Sequence, residues 1–228
     1  MTVLLRYAAY ALATGGLVGL LVLLEVEFPG SLGLQVFRGP SDALGTSEYS
    51  LVESLQLVLI VVSGLVFGAV AWWHRGQRPV AIGFAALALA CLVRELDYFL
   101  DLWFADNLWQ VLLAVVVALG GAYLLRHRRR YAVGWARLWP SPAATLLFAG
   151  AVVLFLFSNL IGHEDFWRVL QGEDYRRIAK LAMEEMTELA GYALCFSGAI
   201  EYYLEARQLE GAGPSAPGDR LARLLGRP

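Results

Sequence analysis

Residues 80–104 read VAIGFAALALACLVRELDYFLDLWF, and the interpretation of this stretch decides what kind of protein the chain makes. A segment crossing hydrocarbon needs about 20 mostly apolar residues, so the run predicts a membrane-spanning helix. Its far end, LVRELDYFLD at 92–101, carries Arg94, Glu95, Asp97 and Asp101, where such a helix should carry no charge. An ionised side chain deep in hydrocarbon costs at least about 2.5 kcal/mol even on the mildest insertion scale. Four in one span therefore need partners, water or a task, and the stretch is the leading candidate for a working centre.

The rest of the composition agrees with a membrane protein. Hydrophobic residues make up 58% of the chain and charged residues 17%, against roughly 45–50% and 25% in soluble domains. A net charge of −2, with the basic residues in short clusters, gives no reason to expect nucleic acid as a partner. Cys91 and Cys195 fall inside apolar runs, where a thiol behaves as a small hydrophobe, so no disulfide is expected.

Six apolar runs have spanning length: 4–24, 51–73, 80–104, 108–125, 143–161 and 181–204. The expected fold is all-α, a polytopic six-helix transmembrane bundle over 1–206 with a flexible cytoplasmic tail at 207–228. The first run ends in EVEFPG rather than in a small-residue cleavage site and reads as helix one, not as a signal peptide. Asp106 or Asn107 can cap the fourth helix, and Ser141 before Pro142 reads as an N-cap with proline at N1 for the fifth. All seven tryptophans lie near predicted helix ends, as an aromatic belt requires.

Short loops rich in Lys and Arg stay in the cytoplasm. Arg6, the 74–79 and 126–142 loops and the tail hold twelve cations, against five on the other side, which predicts both termini inside a bacterial-type inner membrane. Expected partners are the lipid bilayer and a second copy of the chain. Segment 25–50 reads as an irregular lid or re-entrant turn and 162–180 as a short interfacial helix. GAGPSAPGD at 211–219 has linker composition, and the RLARLLGR that follows suits anionic headgroups. No internal repeat occurs, so nothing supports an inverted-repeat transporter.

With that topology, polar groups from four helices converge on the outer half. Glu95 lies nine residues before Phe104, about 13 Å below the outer end of the third helix. At 100° per residue Arg94, Glu95, Tyr98 and Asp101 share an arc of about 120°. Glu184, Glu188 and Tyr192 form one stripe on the last helix, with Glu185 beside it. Glu53 starts the second helix, and His163 follows the fifth. Arg94 is the single cation in the apolar part of any span, so some of these carboxylates must be protonated, hydrated or bound to a cation.

Plainer roles compete with a functional one. Ser50 and Glu53 spell a capping box, and Arg94 with Glu184 or Glu188 can be read as a structural ion pair between helices, although intramembrane charge favours a functional role. His163 fits an interfacial position, Asp101 and Glu185 fit the outer interface, and Glu201 reads as a solvated residue at the inner helix end. Three function classes follow. A carboxylate cage suits a proton or a metal cation, with Glu184, Glu188 and His163 as metal ligands. An intramembrane metal-dependent hydrolase acting on a lipid or peptide would use the same ligands, with Glu95 as general base. No HExxH, GxSxG or P-loop is present, and no catalytic residue is assigned. A structural or sensory subunit would need the polar core only to fix helix register.

EYSLVESLQ at 48–56, LVRELDYFLD at 92–101, HEDFWRVL at 163–170 and MEEMTELAGY at 183–192 resemble steps found in a loose group of bacterial multi-pass membrane proteins without assigned function. The resemblance implies that Glu53, Glu95, Glu184 and Glu188 act as one unit. It brings no activity with it.

Overall fold

A computed structural model describes residues 3–32, 37–38, 44–45 and 50–211. The order is α1 (Val3–Glu27), β1 (Phe37–Arg38), β2 (Leu44–Gly45), α2 (Leu51–Trp73), α3 (Arg78–Glu95), α4 (Asp97–Trp103), α5 (Leu108–Arg126), α6 (Arg128–Leu138), α7 (Pro142–Val152), a π turn (Val153–Phe157), α8 (Ser158–Ile161), α9 (Glu164–Gln171), a 3-10 turn (Gly172–Asp174) and α10 (Arg177–Gly211). Apart from a two-residue antiparallel ladder between β1 and β2, its regular structure is helical. Half of the expected lid at 25–50, and the tail beyond Gly211, lie outside the described residues.

Four segments are long and apolar enough to cross a membrane: α1, α2, α5 and the continuous stretch Pro142–Ile161. The α3 and α4 pair passes the same test only jointly, as a broken span or a re-entrant loop, and counts as a fifth where the bent pair is one span. The sixth expected span, α10, is too polar to join them by composition, although it is 35 residues long. Its Glu188, Ser197 and Glu201 are buried in the protein, and it is the hub of the bundle, packing against α1, α2, α7 and α8.

Small residues let α10 approach α7 closely. A Cβ at Gly150 would lie 2.6 Å from Cys195 Sγ, and one at Gly191 would lie 2.9 Å from the Leu154 backbone nitrogen. In lipid, where tails are as apolar as leucine, such close packing is a main source of helix association. On the other side α2 presents a buried seam of Val52, Gln56, Ile60, Ser63, Phe67 and Val70, one face of a 3.6-residue period. One end of the bundle is filled by Phe67, Val80, Leu147 and Tyr202, the other by Leu21, Leu32, Val52 and Leu189.

The ends obey local chemistry. Ser50 Oγ accepts from Glu53 N at 3.0 Å and Glu53 Oε2 accepts from Ser50 N at 3.2 Å, completing the capping box. Ser141 caps α7, with Pro142 in its first turn. Asn107 occupies the cap position of α5 in a left-handed conformation (φ 65°) but makes no side-chain cap bond. Residues 128–138, expected as loop, form α6, whose Gly134 and Leu138 are buried. The expected interfacial helix at 162–180 contains α9, which leaves Phe166, Val169 and Leu170 exposed on its surface.

The third run does not form one rod. It stops at Glu95 and restarts at Asp97 with a 57° bend. Neither proline nor glycine is responsible. Arg94 sits in the last turn of α3 and Asp97 in the first turn of α4, so each charge matches the end of the helix dipole that it meets. Asp97 Oδ1 also accepts from Tyr98 N at 2.6 Å.

Candidate functional site

The break in α3 and the π turn before α8 both open onto the same part of α10. Glu95, the last residue of α3, accepts a hydrogen bond from Tyr192 O–H at 2.8 Å. Ser158, the first residue after the π turn, donates from Oγ to Glu188 Oε1 at 2.7 Å, and both residues are buried. π bulges and helix breaks concentrate at functional sites because they re-aim side chains that a regular helix would hold elsewhere.

A third carboxylate is held by α2. Gln56 Nε2 donates both to Glu185 Oε2 and to the Glu185 carbonyl, each at 3.0 Å. That double contact fixes the amide, leaving Gln56 Oε1 buried without a donor. Glu53, Glu95, Glu185 and Glu188 are close enough to interact electrostatically, and Arg94, itself exposed, is within electrostatic reach of Glu188 and Glu95. Four acids and one guanidinium therefore share a small volume. Arg94 makes no ion pair within 4.0 Å among the described residues, so it biases the cluster without locking one acid.

Several expected members stand elsewhere. Glu184 lies within electrostatic reach of Glu188 but pairs with Lys180 at 2.9 Å, one turn away on its own helix, and its carboxyl lies against Gly162. Tyr98 lies beyond the bend and is exposed, so the common arc drawn for Arg94, Glu95, Tyr98 and Asp101 ends at Glu95. Asp101 keeps a buried Oδ1 without a hydrogen-bond partner on α4. His163 is exposed at the start of α9. No three His, Cys, Asp or Glu side chains among the described residues gather in a way that could hold a metal ion, the set His163, Glu184 and Glu188 included.

A second polar cluster, unforeseen in the sequence, lies further along α10. Glu201 is buried, 1% exposed, and pairs with Arg6 at 2.8 Å while accepting from Tyr10 O–H at 2.9 Å. The expectation of a solvated helix end is therefore wrong: α1 covers that face. Tyr7 O–H donates to the Pro142 carbonyl at 3.1 Å, and Glu205 Oε1 accepts from Ala143 N at 3.1 Å at the start of α7. The signal for this cluster was faint. Arg6, Tyr7 and Tyr10 share one face of α1, but nothing in the sequence says which helix that face meets.

The surface helix α9 carries its own pair. Arg168 Nε donates to Glu164 Oε1 at 2.9 Å, and this guanidinium holds the exposed Glu164 carboxyl below the usual carboxylate range.

No protein family, curated protein or solved structure matches the chain. What the fold defines is a class: an all-helical protein with apolar helices compatible with membrane insertion.

Proposed function

We propose that the protein is a six-span bundle of a bacterial-type inner membrane, with α10 as its sixth span and both termini cytoplasmic, and that its acidic site takes up and releases a proton from the periplasmic side. One observation carries the reading. Glu95 and Glu188, from different helices, are each held by a hydroxyl donor beside a helix irregularity, the break that ends α3 for Glu95 and the π turn before Ser158 for Glu188. A carboxyl group bonded to a hydroxyl keeps a partner whether or not it is protonated, because the hydroxyl can donate to the anion or accept from the acid. Such a site exchanges a proton without rebuilding its surroundings.

Proton exchange also suits the balance of charge. Arg94 offsets one negative charge, and further ionisation of neighbouring acids is opposed by like-charge repulsion. The buried Glu188 and Glu201 of α10 fit the rule that charged side chains do not face lipid, which supports counting this helix as a span despite its composition.

Infrared difference spectroscopy of the purified protein across a pH step tests the proposal. Wild type should show a protonated-carboxyl band that appears on acidification, and Glu188→Gln should remove or displace it. An unchanged band in a folded Glu188→Gln protein contradicts the assignment.

A further inference from the structure

An apolar groove of about 290 Å³ lies between α3, α5 and α6, and Leu87 and Val117, which line it, are exposed at the bundle surface. Along α3 it extends from Val80 to Ala90, ten positions or about 15 Å. That is one leaflet of a hydrocarbon core about 30 Å thick. On α5 a Cβ at Gly121 would meet nothing within 4 Å. α5 has no buried residue and packs chiefly on α3, so in a bilayer whatever fills the groove comes from the membrane.

One end of the groove differs in chemistry. Tyr131 and Trp135 of α6 wall it, and theirs are the only polar side-chain atoms in the lining. Neither Tyr131 O–H nor Trp135 N–H makes a hydrogen bond among the described residues. Arg128, Tyr131 and Trp135 fall within an arc of about 60° on α6, so Arg128 carries that face on to the corner with α5. Residues 126–130, all arginine except His127, line a basic cleft at this corner. No Asp or Glu occurs between Asp106 and Glu164, and none of these arginines has a carboxylate within 4.0 Å among the described residues. α6 also starts with no side-chain cap and no acid in its first turn, which puts cations at the helix end that favours an anion.

We propose that the groove seats one acyl chain of an anionic phospholipid, with Arg128 at its phosphate and Tyr131 and Trp135 beside its glycerol esters. The inference rests on the membrane placement above, not on proton exchange. The rival occupant is a second copy of the chain. Inserted the same way, it would bring its own arginines to the same depth, where like charges repel. An anionic lipid brings the opposite charge and an apolar chain together, and basic pockets between spanning helices take such headgroups.

Native mass spectrometry of the full chain in mild detergent, titrated with phosphatidylglycerol or with phosphatidylcholine of the same acyl chains, tests this. Phosphatidylglycerol should bind about tenfold more tightly. Arg128→Gln should weaken phosphatidylglycerol binding about fivefold, the worth of one basic residue at an anionic headgroup, and leave phosphatidylcholine unchanged. Arg137, whose guanidinium reaches Gly76 in the loop between α2 and α3, is the control, and Arg137→Gln should leave both affinities as in wild type. Gly121→Leu fills open space and should weaken both lipids. Equal affinity for the two headgroups overturns the anion site, as does a loss in Arg137→Gln equal to that in Arg128→Gln. Wild-type lipid binding by Gly121→Leu, or the loss of a dimer in its place, overturns the acyl seat. A chain that leaves the membrane fraction without detergent refutes the membrane placement instead, so the two failures are distinguishable.

Discussion

Replacing Arg6 by Gln removes the cation that pairs with Glu201. The carboxylate is 1% exposed and the guanidinium 16%, so solvent screens the pair little. Breaking a buried ion pair by deleting one partner costs about 3–5 kcal/mol, because the surviving charge is left uncompensated. Two features place this case at the low end. Tyr10 O–H still donates to Glu201 after the change, and Arg6 Nε is buried without an acceptor, so the pair is already short of one bond. We therefore expect Arg6→Gln to lower stability by about 3 kcal/mol. Glu201→Gln combined with Arg6→Gln should recover most of that loss, since a neutral amide needs no counter-charge, giving a coupling energy of roughly 2 kcal/mol. Reversible unfolding in mixed micelles with rising fractions of denaturing detergent measures Arg6→Gln, Glu201→Gln and the double variant. If Arg6→Gln costs less than about 0.5 kcal/mol, within the usual range for surface substitutions, the claim that α1 is pinned to α10 through Glu201 is refuted.

Other outcomes follow from the same geometry. Gly150→Ala drives a methyl group against the Cys195 sulfur and backbone and should cost about 1–3 kcal/mol by overpacking, read in the same unfolding assay; a neutral effect would mean that α7 and α10 are not closely apposed. Ser50→Ala deletes one bond of the capping box, worth about 1 kcal/mol, and should speed amide exchange in the first turn of α2 while sparing its middle. In α9 the depressed Glu164 contributes stability that is present above the ordinary carboxylate range and lost as pH falls through its lowered value. Protection of the α9 amides, corrected for the intrinsic pH dependence of exchange, should therefore fall only on acidification, and Glu164→Gln should abolish that fall.

Much of the helical layout was legible because apolar run length reports directly on spanning helices, and the second run, 51–73, coincides with α2. The capping box was legible because Ser50 and Glu53 are three residues apart and satisfy each other locally. The bend after Glu95 was missed because a helical wheel assumes a continuous rod. The sequence Arg-Glu-Leu-Asp at 94–97 nevertheless holds the stop and start signs, a cation for one helix end followed by an acid for the next beginning. The π turn left no mark in VLFLF, whose residues suit any apolar helix. Glu188 and Glu95 could be nominated from burial cost alone, but their donors Ser158 and Tyr192 depend on which helices become neighbours. Glu201 was misjudged for the same reason, since its partner stands 195 positions earlier in the chain.

The central claim is that Glu95 of α3 and Glu188 of α10 titrate as one unit. Infrared titration of Glu95→Gln, Glu188→Gln and the double variant tests it most directly. The account predicts that each single substitution shifts the midpoint of the carboxyl that remains, so that the two single changes do not sum to the double. Two independent bands, each lost with its own residue and leaving the other unmoved, would contradict it.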